Sequence, residues 1–169
     1  MKKTIVPLGC IVIACLLIDV PFAAERPVVL KTTENACFER SYSDTHLKKH
    51  PKQKVRWMRI EHAISSSEFN YAVIKARFVG DRRLFSDGGA CFMDESGKLV
   101  CDIDCDGGGY TLSERDDGNV VLRPLDRIRV TACGDDDDQP YRQILASDDQ
   151  EAFVLERVPA EKCMLKAID

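Results

Sequence analysis

The sequence predicts an all-β fold: a single antiparallel β-sandwich or small barrel of about eight short strands, stabilised by disulfides. Three observations carry that prediction. Short runs of alternating apolar and polar residues recur from Val55 onward, at the period of two that half-buries a strand. Turn-forming clusters such as Glu95-Ser-Gly97, Asp116-Asp-Gly118 and Ser147-Asp-Asp-Gln150 separate them. An even set of six cysteines remains once an export leader is set aside, which in an exported chain points to disulfides.

Residues 1–24 read as an export signal peptide. Lys2 and Lys3 give a positive start, residues 5–18 are mostly apolar, and Ala23-Ala24 supplies small residues for cleavage, with the bulkier Phe22 before them. The apolar run stops at Asp19, short of the roughly 20 residues a membrane helix needs, so no transmembrane anchor is expected after cleavage. Val12-Ile13-Ala14-Cys15 resembles a bacterial lipoprotein box with Cys15 as the lipid-bearing residue, but apolar Leu16-Leu17-Ile18 follows where a lipoprotein carries a polar tether. Soluble export to the periplasm or the medium is the favoured reading. Loss of Lys2, Lys3 and Asp19 takes the net charge from −4 to −5. That acidic balance disfavours nucleic acid or an anionic membrane as general partner, because no basic excess is available to displace counterions.

No repeat, low-complexity tract or linker divides residues 25–169, which read as one β-rich domain. Residues 25–36 are an arm or first edge strand. Residues 43–54 are polar and basic and form an exposed loop or one short helix ended before Pro51. Residues 55–64 and 69–79 are neighbouring strands, with Ala72, Ile74, Ala76 and Phe78 on one face. If the turn at Glu95-Ser-Gly97 is a three-residue hairpin loop, Asp94 faces Lys98, Phe92 faces Val100 and Cys91 faces Cys101. Cys91–Cys101 is therefore the best pair among Cys37, Cys91, Cys101, Cys105, Cys133 and Cys163. Asp116-Asp-Gly118 joins strands at residues 110–114 and 119–123, and residues 127–133 alternate as another strand. Ser147-Asp-Asp-Gln150 suggests a third hairpin between residues 141–146 and 152–158.

Cys101-Asp-Ile-Asp-Cys-Asp-Gly-Gly-Gly109 is the segment richest in chemistry. Asp102, Asp104, Asp106 and Gly107 match the opening of a calcium-binding loop. Its closing glutamate is missing, since the twelfth position is Ser113 and Glu114 comes one residue late, and no amphipathic helix flanks it. Read as a strand, Cys101, Ile103 and Cys105 face the core while the three aspartates face water. Cys101 and Cys105 would then lie about 13 Å apart, too far to bond each other. The strand reading is favoured over the calcium site. Asp135 to Asp138 would strengthen the calcium case only by folding beside these aspartates; otherwise they form a solvated turn.

Other chemistry is weaker. His46 and His50 could share a helix face, but Lys48 and Lys49 between them oppose a dication and no carboxylate separates them as in hydrolytic zinc motifs. His62 stands alone in a strand. The chain lacks a Cys-x-x-Cys redox pair, a Gly-x-Ser-x-Gly nucleophile turn and a phosphate-cradling loop. Gly107-Gly-Gly109 reads as a bend or bulge, or a place where another backbone passes closely. Trp57 and Tyr71 can line a ligand surface or pack. The expectation is an exported noncatalytic binding or envelope-associated protein with a protein or small-molecule partner. The alternatives are a secreted hydrolase with spatially assembled carboxylates, a protein inhibitor of a secreted enzyme, and a calcium-binding β domain.

Overall fold

The computed structural model describes residues 26–27, 36–64, 70–95, 98–132, 140–145 and 151–163. Residues 1–24, expected to be an export leader, together with Cys133 and the Asp135 to Asp138 run, lie outside them.

Ten strands and one short helix are formed by the described residues: β1 (Arg26–Pro27), β2 (Ala36–Ser41), α1 (Asp44–Lys49), β3 (Val55–Ile64), β4 (Asn70–Phe78), β5 (Phe85–Met93), β6 (Leu99–Asp102), β7 (Gly108–Glu114), β8 (Val120–Ala132), β9 (Tyr141–Leu145) and β10 (Phe153–Val158). Strands β2 to β8 follow one another as an antiparallel meander, and β10 closes the sheet by pairing with β8 on one side and β2 on the other. Eight strands thus make a closed barrel, which leaves none of them with a bare edge. β9 lies outside that circuit on the second half of β8, and β1 adds two residues beside the end of β7.

The expected alternation builds the interior. Phe38, Met58, Ile60, Ala72, Ile74, Ala76, Phe85, Leu112, Leu122, Phe153 and Leu155 all point inward and are buried; each large apolar side chain among them contributes about 1.5–3 kcal/mol by leaving water. The outer wall carries Glu39 of β2, Arg59 and Glu61 of β3 and Lys75 and Arg77 of β4. Ser43 caps α1 by accepting from the His46 N–H at 3.2 Å, and the helix ends before Pro51 as expected.

Two disulfides are formed. Cys91 faces Cys101 in the register that the turn arithmetic gives, and the two are bonded; the Asp94 N–H donates to the Lys98 carbonyl at 2.9 Å to close that hairpin. Cys37 bonds Cys163, strapping the 3-10 turn Ala160–Lys162 onto β2. Such bonds persist in an oxidising, extracytoplasmic environment.

The structure corrects three expectations. Residues 141–145 and 153–158 are strands but do not form a hairpin: β9 pairs with Arg127–Thr131 and β10 with Val120–Leu122, one after the other along the same edge of β8. Nor do residues 119–123 and 127–133 form separate strands, because β8 runs through Pro124. Proline is tolerated where no partner needs its N–H, and Pro124 falls between the stretches of β8 taken by β10 and β9, next to the register shift against β7 at Gly108/Tyr110. The third correction is Cys105. Alternation holds through Ile103, buried, and Asp104, exposed, but Cys105 and Asp106 take positive φ of 55° and 59°. That turn swings the Cys105 thiol outward, where it is exposed and unpaired among the described residues.

Candidate binding surface on the barrel wall

The glycines of residues 107–109 let β7 leave the turn tightly against its neighbour: at Gly108, with φ 78°, a Cβ would lie 2.0 Å from the Arg127 carbonyl oxygen. The turn is thereby tucked between β5 and β8, with the Asp104 N–H donating to the Gly88 carbonyl at 3.0 Å and the Arg129 N–H to the Gly107 carbonyl at 2.7 Å. Asp102, Asp104 and Asp106 are all exposed. Asp104 is engaged as an anchor, its Oδ2 accepting from the Tyr71 hydroxyl at 3.2 Å. Among the described residues no three His, Cys, Asp or Glu side chains gather into a group able to hold a metal.

Asp87, on the adjoining stretch of β5, is half-buried. Burial pushes its carboxyl above the usual range, and the negative charge of Asp104 adds to this against the opposing effects of the Gly88 N–H, Arg129 and Thr131. Burial and the same Asp104 raise the Tyr71 phenol. The fold therefore does bring two carboxylates into each other's field, but both are already held, Asp104 by Tyr71 and Asp87 by the Gly88 N–H at 2.9 Å.

Two of the three histidines come together on α1 and the third lies apart. His46 stacks on His50 with ring centroids 4.3 Å apart and lies 4.9 Å from the Tyr42 ring, and its Nε2 is 3.1 Å from Gln53 Oε1. His62 is enclosed in the barrel, 1% exposed; neither ring nitrogen has a hydrogen-bond partner among the described residues, and burial lowers its pKa.

The outer wall of β2, β3 and β4 is built in rungs, cross-strand neighbours lying about 4.5–5.5 Å apart. Ser41, Trp57 and Arg77 form one rung, Glu39, Arg59 and Lys75 the next, and Cys37, Glu61 and Val73 the third. A β-bulge starts the series. The register of β3 on β4 slips between Val55 and Trp57, so Val55 still points into the core while Arg56 is left over and exposed. Bulges re-aim side chains in this way. Arg56 and Trp57 consequently open on the same side, with Ser41, Tyr42 and Arg77, around a shallow concavity of about 400 Å³.

Electrostatics hold this wall in place. The Arg59 guanidinium lies 5.1 Å from the Trp57 ring centroid and that of Arg77 5.9 Å, within cation–π range. Arg59 Nε donates to Glu39 Oε2 at 2.9 Å and its Nη1 to the Lys162 carbonyl at 2.8 Å. Burial pushes the Glu39 carboxyl up, but the hydrogen bonds from Arg59 and Trp57 outweigh it and hold it below the usual range. Glu61 is completely buried on this outer face and receives Lys75 Nζ on both oxygens at 2.8 Å. Arg56 Nη1 meets Asp44 Oδ1 at 2.8 Å, both well exposed. Arg77 has no carboxylate within ion-pair distance among the described residues.

Of this set, sequence reading singled out only Trp57. Arg56, Arg77, Tyr42 and Ser41 have no motif in common; the one local signal was a charged residue and a tryptophan side by side in a strand, which is what a bulge permits. No protein-family model matches the chain, nor does any curated protein or solved structure. The fold and surface together define a disulfide-pinned, closed antiparallel β-barrel bearing an arginine-flanked aromatic concavity on its wall.

Proposed function

We propose that the protein is an exported, noncatalytic binding protein of the periplasm or the medium, and that the Trp57 concavity is its contact surface. The observation that carries this reading is the bulge at Arg56, which leaves that residue exposed beside Trp57 on the wall from which Arg59 and Arg77 also face outward. Tryptophan, tyrosine and arginine are the residues that dominate binding hot spots. A hydrolase would draw on Asp87 and Asp104, but the groups already bonded to them favour a structural role there.

Trp57 is the only tryptophan in the chain, so its emission reports on this surface alone. Peptide, glycan and small-molecule fractions of an extracytoplasmic extract should be titrated against the purified protein. A binding protein is expected to show a saturable emission change with one fraction and to return its ligand chemically unchanged by mass spectrometry. Conversion of that ligand would refute the noncatalytic reading, and silence across all fractions would refute the surface.

A further inference from the structure

We infer that the Trp57 concavity docks an acidic segment of a partner protein, with Arg77 and Arg56 as the carboxylate-binding groups; this rests on the concavity being the binding surface. The chain carries a net charge of −4, yet Arg56, Arg59 and Arg77 gather at this one place. Their demands are not equal. Arg59 is committed to Glu39, Glu61 and the Lys162 carbonyl. Arg77 is exposed and its described contact is the face of Trp57. Its guanidinium edge is thus left for an incoming carboxylate, the group whose geometry a planar fork matches.

Arg56 already shows how such a group would be held, because Asp44 occupies it at 2.8 Å. That pair is solvent-exposed, with Asp44 73% exposed, so it is weak and a partner carboxylate can displace it. Two features favour a protein over a neutral sugar or an enclosed small molecule. Guanidinium groups lie over the indole at 5.1 and 5.9 Å, covering ring surface on which a pyranose would stack. The concavity is open, whereas small-molecule pockets bury most of their ligand. A half-buried aromatic ring beside an arginine with no carboxylate partner among the described residues is how a protein interface anchors a partner's acidic side chain.

The test is a titration of full-length protein with capped hexaglutamate, hexaglutamine and an oligogalacturonate of matched charge, read by Trp57 emission at low and raised salt. Hexaglutamate is expected to give a saturable change that weakens with salt and loses about tenfold in affinity in Arg77→Gln, the loss expected when one of the minority of interface side chains that matter by more than about 1 kcal/mol is truncated. Hexaglutamine is expected to give none. Arg77→Gln should melt with the wild type, and Arg77→Glu should abolish hexaglutamate binding. Equal binding of hexaglutamate by wild type and both variants overturns the inference. A response to hexaglutamine or oligogalacturonate without one to hexaglutamate also overturns it, while leaving the surface reading intact. If no probe and no extract fraction moves Trp57, the surface reading falls as well.

Discussion

Gly88 lies directly beneath Tyr71: a Cβ at Gly88 would come within 2.5 Å of the phenol oxygen and 2.8 Å of the ring. The same phenol donates to Asp104 Oδ2 at 3.2 Å, so this contact ties β4 and β5 to the turn between β6 and β7. Gly88→Ala is expected to push the ring away and break that bond, costing about 1–3 kcal/mol as an overpacked site does. At Gly89 the obstacle is backbone, since a Cβ would lie 1.6 Å from the Asp102 carbonyl oxygen; Gly89→Ala should therefore lose more than Gly88→Ala. Tyr71→Phe removes only the hydrogen bond and is expected to cost about 1 kcal/mol. Urea denaturation of the three variants checks that order.

Glu61 and Lys75 set the second expectation. The carboxylate is fully buried and its two oxygens both meet Lys75 Nζ, with Arg59 Nη1 farther off at 3.7 Å. Lys75→Met strands a buried charge and is expected to cost about 3–5 kcal/mol. Lys75→Met combined with Glu61→Gln should recover much of it, because the stranded charge is then gone. Denaturation midpoints of the single and double variants measure the coupling, and additive losses would contradict the pairing of Lys75 with the buried Glu61 carboxylate.

The two disulfides differ in reach. Cys37–Cys163 spans 126 positions and Cys91–Cys101 spans 10. By loop-closure entropy the first contributes about 5 kcal/mol and the second about 3 kcal/mol. Replacing Cys37 and Cys163 with alanine should lower the melting temperature more than replacing Cys91 and Cys101. Non-reducing peptide mapping is expected to return both pairs.

Calcium offers a further check on the loop that looked most like a site. Asp102, Asp104 and Asp106 are exposed, and Asp104 already anchors Tyr71. Addition of millimolar calcium is expected to leave the melting temperature unchanged in calorimetry; a clear rise would mean that the folded protein binds the ion.

Local chemistry was legible in the sequence and closure was not. The inward face Ala72, Ile74, Ala76 and Phe78 and the facing of Cys91 with Cys101 both depend on period and turn length, properties of adjacent residues. The separation of β9 from β10 depends on which edges the closing barrel leaves available along β8, and no short window of sequence contains that. Cys105 was misplaced because alternation was carried one residue beyond Asp104, into a turn of positive φ. At the wall, Trp57 drew notice as an aromatic residue, but its partners Arg56 and Arg77 became visible only through the bulge and the β3–β4 register.

His62 gives the barrel a defined response to acid. Its imidazole is enclosed at a position facing Ala36 of β2 and Ala72 of β4, whose small side chains leave room for a ring but offer no charge. Burial lowers its pKa below 6.5. In the unfolded chain the ring takes up a proton near pH 6.5, while in the barrel it stays neutral to lower pH. Between those two values the unfolded state binds more protons, so stability falls as pH falls through 6.5, by at most about 1.4 kcal/mol per pH unit for this one group. Asp87 acts with the opposite sign and in a more acidic window, since its raised pKa favours the folded state as pH drops toward 3.8. Urea denaturation at pH steps from 7.5 to 5 is expected to show the midpoint declining below 6.5 in the wild type. His62→Leu should flatten that decline, whereas an unchanged slope in the variant would assign the acid sensitivity to another group.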